Sequence, residues 1–81
     1  MPTTQNDIRA WLTRAPEGAT HMLVICDTFD YGDYPKFVMP GEDVRNVADE
    51  NNGPNMTKLM EVYNLSMDLE PQITSHRAFN Y

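Results

Sequence analysis

The unbroken apolar run HMLVIC, residues 21–26, constrains the fold more than any other stretch of this chain. On a strand, alternate side chains point to opposite faces. Here both sets are apolar: Met22, Val24 and Cys26 on one face, Leu23, Ile25 and Phe29 on the other. A strand with one face in water would alternate apolar with polar residues, so this one belongs at the centre of a sheet covered on both sides. The stretch DYGDYP that follows carries turn residues around Gly32. YPKFVMP then reads as a second strand, which Pro35 and Pro40 confine to an edge or keep short. Strand, tight turn and strand make a hairpin.

A two-stranded hairpin is marginal alone, which favours a third strand over residues 58–65, where Val62, Tyr63 and Leu65 suit a sheet. Met56, Leu59, Met60 and Tyr63 also fit a helical stripe, so this segment is the ambiguous one. Layers for the two faces come from helices. Ile8, Trp11, Leu12 and Ala15 recur at helical spacing, Thr4 and Asp7 resemble a capping box, and Pro16 with Gly18 ends the helix. Val44, Val47 and Ala48 stripe a second helix, with Glu42 and Asp43 at its positive end and Gly53–Pro54 as its stop. DLEPQITSHRAF reads as a third, with Asp68 near the cap and Pro71 tolerated in the first turn. The expected fold is a single α+β domain over residues 1–81 in the order α-β-β-α-β-α, a small three-stranded antiparallel sheet with packed helices. Trp11, Phe29 and Tyr63 are its aromatic core candidates. A sheet this small leaves an edge open, which predicts a homodimer or higher homo-oligomer.

The net charge is −6 and is unevenly spread. Asp27, Asp30, Asp33, Glu42, Asp43, Asp49 and Glu50 face only Lys36 and Arg45 within residues 27–50, whereas the rest of the chain is close to balance. An acidic middle argues against gripping a DNA or RNA backbone or an anionic membrane surface. No apolar run approaches a membrane span, and MPTTQNDI lacks the basic start of a signal peptide. The single Cys26 permits no internal disulfide and suits a reducing cytoplasm.

Asp27, Asp30 and Asp33 recur every three residues beside Cys26, which raises the question of a metal or catalytic cluster. A calcium loop wants carboxylates at alternate positions between helices. Here the spacing is three and a strand precedes, so the solvated tip of a hairpin is the better reading, with no metal and no cofactor expected. Cys26 lies within LVIC, and Asp27 beside it raises a thiol pKa, so it reads as a small core residue and not a nucleophile. One cysteine and two distant histidines match no zinc spacing. No catalytic residue is selected by any motif. Tyr31, Tyr34 and Phe37 surround the hairpin, and Phe79 and Tyr81 end the chain; exposed tyrosines make good contact residues and stack on bases. Arg9, Arg14, Lys36, Arg45, Lys58 and Arg77 are the permanent cations.

GATHMLVICDTFDYGDYPKFVMPGEDV followed by MEVYNLSMDLEPQITSHRAFNY resembles a family of short bacteriophage and prophage proteins that carries no assigned catalytic motif. The resemblance covers roughly residues 5–81 and implies a phage origin in a bacterial host cytoplasm. Short acidic phage proteins of this kind are often inhibitors of antiviral immunity. Three functions then follow. The first is a sponge that sequesters a cyclic nucleotide or ADP-ribose-derived signal without cleaving it, through Arg9, Arg14, Arg77, Tyr81, Tyr34 and Lys36. The second is a protein–protein inhibitor that blocks a host defence protein through its acidic 27–50 region, led by Asp30, Tyr31 and Asp33. The third is a small nucleotide-cleaving enzyme with His21 or His76 as acid or base.

Overall fold

A computed structural model of the protein describes residues 3–75 and 77–81. Its elements follow in the expected order: α1 (Gln5–Thr13), β1 (His21–Asp27), β2 (Gly32–Val38), α2 (Val44–Glu50), a 3-10 turn (Pro54–Met56), β3 (Thr57–Asn64) and α3 (Leu69–Thr74). The strands form one antiparallel sheet, β2-β1-β3, so the continuous apolar strand is the central one. Its two sets of side chains feed two cores. Met22 and Val24 meet Ile8 of α1 and Ile73 of α3, together with Tyr63 and Ala78. Leu23 and Ile25 meet Val47 and Ala48 of α2, together with Val38 and Val62. Each fully buried side chain of this size contributes about 1.5–3 kcal/mol of transfer free energy, and β1 supplies four in succession.

The ambiguous segment is a strand, and it contains one irregularity. Val24 pairs with Glu61, but Ile25 pairs with Leu59, so Met60 has no partner across the ladder. This bulge switches the alternation. Met60 packs on the α1/α3 side beside Glu61 and Tyr63, and Leu59 is thereby turned into the α2 core. A regular strand would have put Leu59 on the face of Tyr63.

At α1 the capping box is present in full: Asp7 N–H donates to Thr4 Oγ1 at 3.1 Å, and Thr4 N–H donates to the Asp7 carboxylate at 3.0 Å. Thr4→Ala removes one of these bonds and is expected to cost about 1 kcal/mol. For a domain of this length that lowers the melting midpoint by about 4–8 °C, and circular dichroism melts read it directly. Pro35 lies in β2, an edge strand, where its missing N–H is tolerated.

Four expectations need correction. Phe29 is not a core residue but is 76% exposed, because Asp27 ends β1 by accepting the Phe29 N–H on its own side chain. Phe37, expected around the hairpin with the exposed tyrosines, is half-buried against the first core. Ala15 lies beyond α1, which closes at Arg14. The third helix stops at Thr74, and residues 77–81 run extended beside β3 instead. Val62 N–H donates to the Ala78 carbonyl and Asn80 N–H to the Val62 carbonyl, making a parallel bridge between Val62 and Phe79. Ser75 takes an extended conformation at the helix end, and the free edge of β3 captures the segment that follows.

Candidate interaction surface

The hairpin between β1 and β2 is built by its aspartates. Asp27 Oδ1 accepts the Phe29 N–H at 2.8 Å, and Asp30 Oδ1 accepts the Gly32 N–H at the same distance. Both are side-chain mimics of a backbone turn, the role that draws aspartate to loops. Glycine suits position 32 because a Cβ there would stand 3.1 Å from Asp30 Oδ1. Tyr31 completes the turn in the left-handed region, with φ of 58°.

A second loop lies against this one. Gly53, at φ of 121°, opens the 3-10 turn, and Asn55 and Met56 follow at φ of 54° and 61°. The two loops are tied together, since both the N–H and the hydroxyl of Thr28 donate to the Met56 carbonyl, at 2.8 and 3.0 Å. Tyr31, Asn55 and Met56 are, among the described residues, the non-glycine positions with positive φ, and all three belong to these paired loops. For Tyr31 and Met56 this costs about 1–2 kcal/mol relative to ordinary backbone, and for Asn55 less, because asparagine is one of the residues that tolerate this region.

What this strained end presents to solvent is apolar. Phe29 and Tyr31 are each 76% exposed and Met56 is 53% exposed. Leaving a phenylalanine in water in this way forgoes about 2 kcal/mol of burial. Asp27 and Asp30 accompany these side chains, and the adjoining strands carry Lys58, opposite Cys26, and Lys36, opposite Leu23. The sequence singles out Tyr31 and the carboxylates as candidate contact residues, whereas it places Phe29 in the core and does not single out Met56. The available signal was an apolar residue enclosed by turn formers, as in DTFDYG and GPNMT, where neither strand nor helix can bury it.

The residues expected to bind a nucleotide are dispersed. Arg9 donates to Glu70 through Nη2 at 2.9 Å and Nε at 3.2 Å, and to Asn6 at 3.1 Å. The pair clips α1 to α3, and Arg9 holds the Glu70 carboxyl below its usual range. Arg14 is the exposed C-cap of α1, and Arg77 is exposed in the extended segment after α3. Tyr34 and Lys36 stand opposite Ile25 and Leu23, on the α2 side of β2. Tyr81 reaches that same side, where the Arg45 guanidinium lies 4.3 Å from the centre of its ring. His21 Nε2 is 3.3 Å from the main-chain oxygen of Tyr81, and its Nδ1 is 3.0 Å from the Thr20 hydroxyl. The cation gathered with Tyr81 is therefore Arg45, while Arg9 lies across the sheet.

Asp33 is half-buried, away from Phe29 and Tyr31, and accepts the Thr3 hydroxyl. It faces Cys26 across the ladder. Burial pushes the Cys26 thiol up, and Asp33 adds more to this than Asp27 does. A thiol held protonated in this way is a poor nucleophile. Among the described residues no group of three or more metal-ligating side chains converges, and no helix is long and apolar enough to cross a membrane. His76 lies outside the described residues. Comparisons with protein-family models, with curated proteins and with solved structures return no significant match.

Proposed function

We propose that this chain is a protein-binding inhibitor that docks its strained, aromatic end onto a basic partner. The observation that carries this reading is the joining of Phe29, Tyr31 and Met56 on two loops that hold them in water at the expense of backbone strain. Strain retained at an exposed site is most simply explained by what the site contacts. Two aromatic anchors with a bordering methionine have the composition of an interface centre, and aspartates at the rim favour a basic counterpart. On this reading Asp30 and Tyr31 would act as contact residues, Phe29 and Met56 would join them, and Asp33, which accepts the Thr3 hydroxyl, would not. In the setting that the phage resemblance implies, the partner is a host defence protein in the bacterial cytoplasm.

The test begins by identifying the partner through co-expression with a panel of defence systems and then reconstituting the complex from purified components. Phe29→Ser with Tyr31→Ser is expected to weaken binding more than about 100-fold, as loss of two central anchors should. Because both side chains are exposed, the melting temperature should stay within a few degrees. Wild-type affinity in that double variant would sink the proposal.

One observation favours a second reading, the nucleotide sponge. Arg45 stacked on Tyr81, with His21 adjacent, combines a cation with an aromatic plate on one surface. Incubation with cyclic dinucleotides and cyclic ADP-ribose isomers, followed by denaturation, separates the readings. Depletion with intact release that is lost in Arg45→Ala and kept in the Phe29/Tyr31 variant would establish the sponge in place of the docking end. An altered product would instead establish the nucleotide-cleaving enzyme.

A further inference from the structure

On the α1/α3 side of the sheet, away from the aromatic end, a cleft of about 450 Å³ opens between the start of α1, β3 and the end of α3. We propose that this cleft is a binding site for an alkylguanidinium group. Its polar lining is Thr3, Thr4, Glu61, Tyr63, Thr74 and Ser75, together with the Gln5 amide. The decisive feature is where most of their hydroxyl protons already go, although the Thr4 hydroxyl, which accepts the Asp7 N–H, and the Gln5 amide keep donors of their own. Thr3 donates to Asp33, Tyr63 to Glu61 at 2.9 Å, Thr74 to the Glu70 carbonyl at 3.0 Å and Ser75 to the Pro71 carbonyl at 2.8 Å. With their hydrogens committed, these hydroxyls offer only lone pairs to an incoming molecule.

Glu61 adds a carboxylate. Its two oxygens accept from Tyr63 and from the Ala78 N–H at 3.3 Å, which fixes their position and leaves further lone pairs on each. Burial and this hydrogen bond both hold the Tyr63 proton in place, so it remains a donor to Glu61. Among the described residues, no lysine or arginine lines the cleft. An acceptor-rich cleft with one fixed negative charge calls for a donor-rich cation. Guanidinium fits best, because its planar fork carries five donors that can reach a carboxylate and several hydroxyl oxygens together. Ile8 and Ile73 on the walls give its alkyl stem an apolar track. The free N–H groups at the start of α1 oppose a cation there, but Asp7 in the first turn offsets them.

The guanidinium can come from a free metabolite or from an arginine of a bound protein, and affinity distinguishes the two. Calorimetric titration with agmatine, with an arginine-centred capped tripeptide and with the uncharged analogue butylurea provides the measurement. Micromolar agmatine binding identifies a free ligand. Equal millimolar binding of agmatine and the tripeptide identifies a side-chain socket. In either case Glu61→Gln, which preserves an acceptor for Tyr63, should weaken binding at least tenfold. Thr74→Val should weaken it severalfold, and Glu17→Gln, at an exposed position beyond the far end of α1, should leave it unchanged. Absence of agmatine binding at 20 mM, equal binding of butylurea, or an unaffected Glu61→Gln variant would overturn the assignment.

Discussion

Gln72→Leu is expected to destabilise this protein by about 2–4 kcal/mol, as much as a large cavity in its core, although leucine is the more apolar residue. Gln72 is the buried polar side chain of the described core, 4% exposed, and it uses its whole amide. Its Nε2 donates to the carbonyls of Asn64 and Asp68, each at 2.9 Å, and its Oε1 accepts the Asn64 N–H at 2.8 Å. The end of β3 is thus hydrogen-bonded to α3 through one side chain, as an extra sheet rung would do. Leucine fills the volume but leaves the Asn64 N–H without a partner and the Asn64 C=O with only the Met67 N–H at 3.2 Å, and water reaches that half-buried residue poorly. Small domains sit near the lower end of the 5–15 kcal/mol range, so a loss of this size lowers the melting midpoint by more than about 10 °C. A melt within a few degrees of wild type would show that α3 is held by Ile73 and Leu69 alone. Agmatine binding should fall in parallel, because the helix that Gln72 anchors carries Ile73, Thr74 and Ser75 of the cleft.

Several features of this fold were legible because their cause is local. HMLVIC announces a strand covered on both faces, Thr4 and Asp7 announce a cap, and Pro35 announces an edge; each signal lies within a few residues. The acidic middle was legible as charge, but part of it is backbone chemistry. Asp27, Asp30 and Asp43 each accept an N–H two residues ahead, from Phe29, Gly32 and Arg45. Even spacing at 27, 30 and 33 raises the question of a cluster and reads as a hairpin tip; two of the three do shape that turn, while the third turns inward to Thr3. The features that stayed hidden depend on partners distant in sequence. Residues 77–81 carry no strand signal of their own; they are extended because β3 offers a free edge. Tyr81 pairs with Arg45 and not with Arg9 because its ring lies on the α2 side of the sheet while α1 lies on the other. The cleft is equally nonlocal, since it forms only where the start of α1, β3 and the end of α3 come together, and the Thr3 hydroxyl donates to Asp33, 30 residues away.

Deleting Met60 is expected to leave this protein folded, although the deletion falls in the middle of a strand. In a regular strand the loss of one residue sends every side chain on one side of it to the opposite face. Here the bulge already holds one residue in excess. Tyr63 and Glu61 face the α1/α3 side and Leu59 faces the α2 core, so without Met60 the residues Glu61 and Leu59 become neighbours on opposite faces, as regular alternation requires. Val24 keeps Glu61, Ile25 keeps Leu59 and Cys26 keeps Lys58 across the ladder. What is lost is a half-buried methionine side chain on the first core, about 1–2 kcal/mol, together with the local twist of the bulge. Met60→Ala removes the same side chain and keeps the bulge, so the two variants should melt within a few degrees of each other by circular dichroism. Thr57 stays opposite Asp27, so the Met56 carbonyl should still accept both bonds from Thr28, and partner binding through the aromatic end should persist. A deletion variant that is unfolded at 37 °C while Met60→Ala is folded would show that β3 depends on the bent, twisted path of the bulge and not on its register alone.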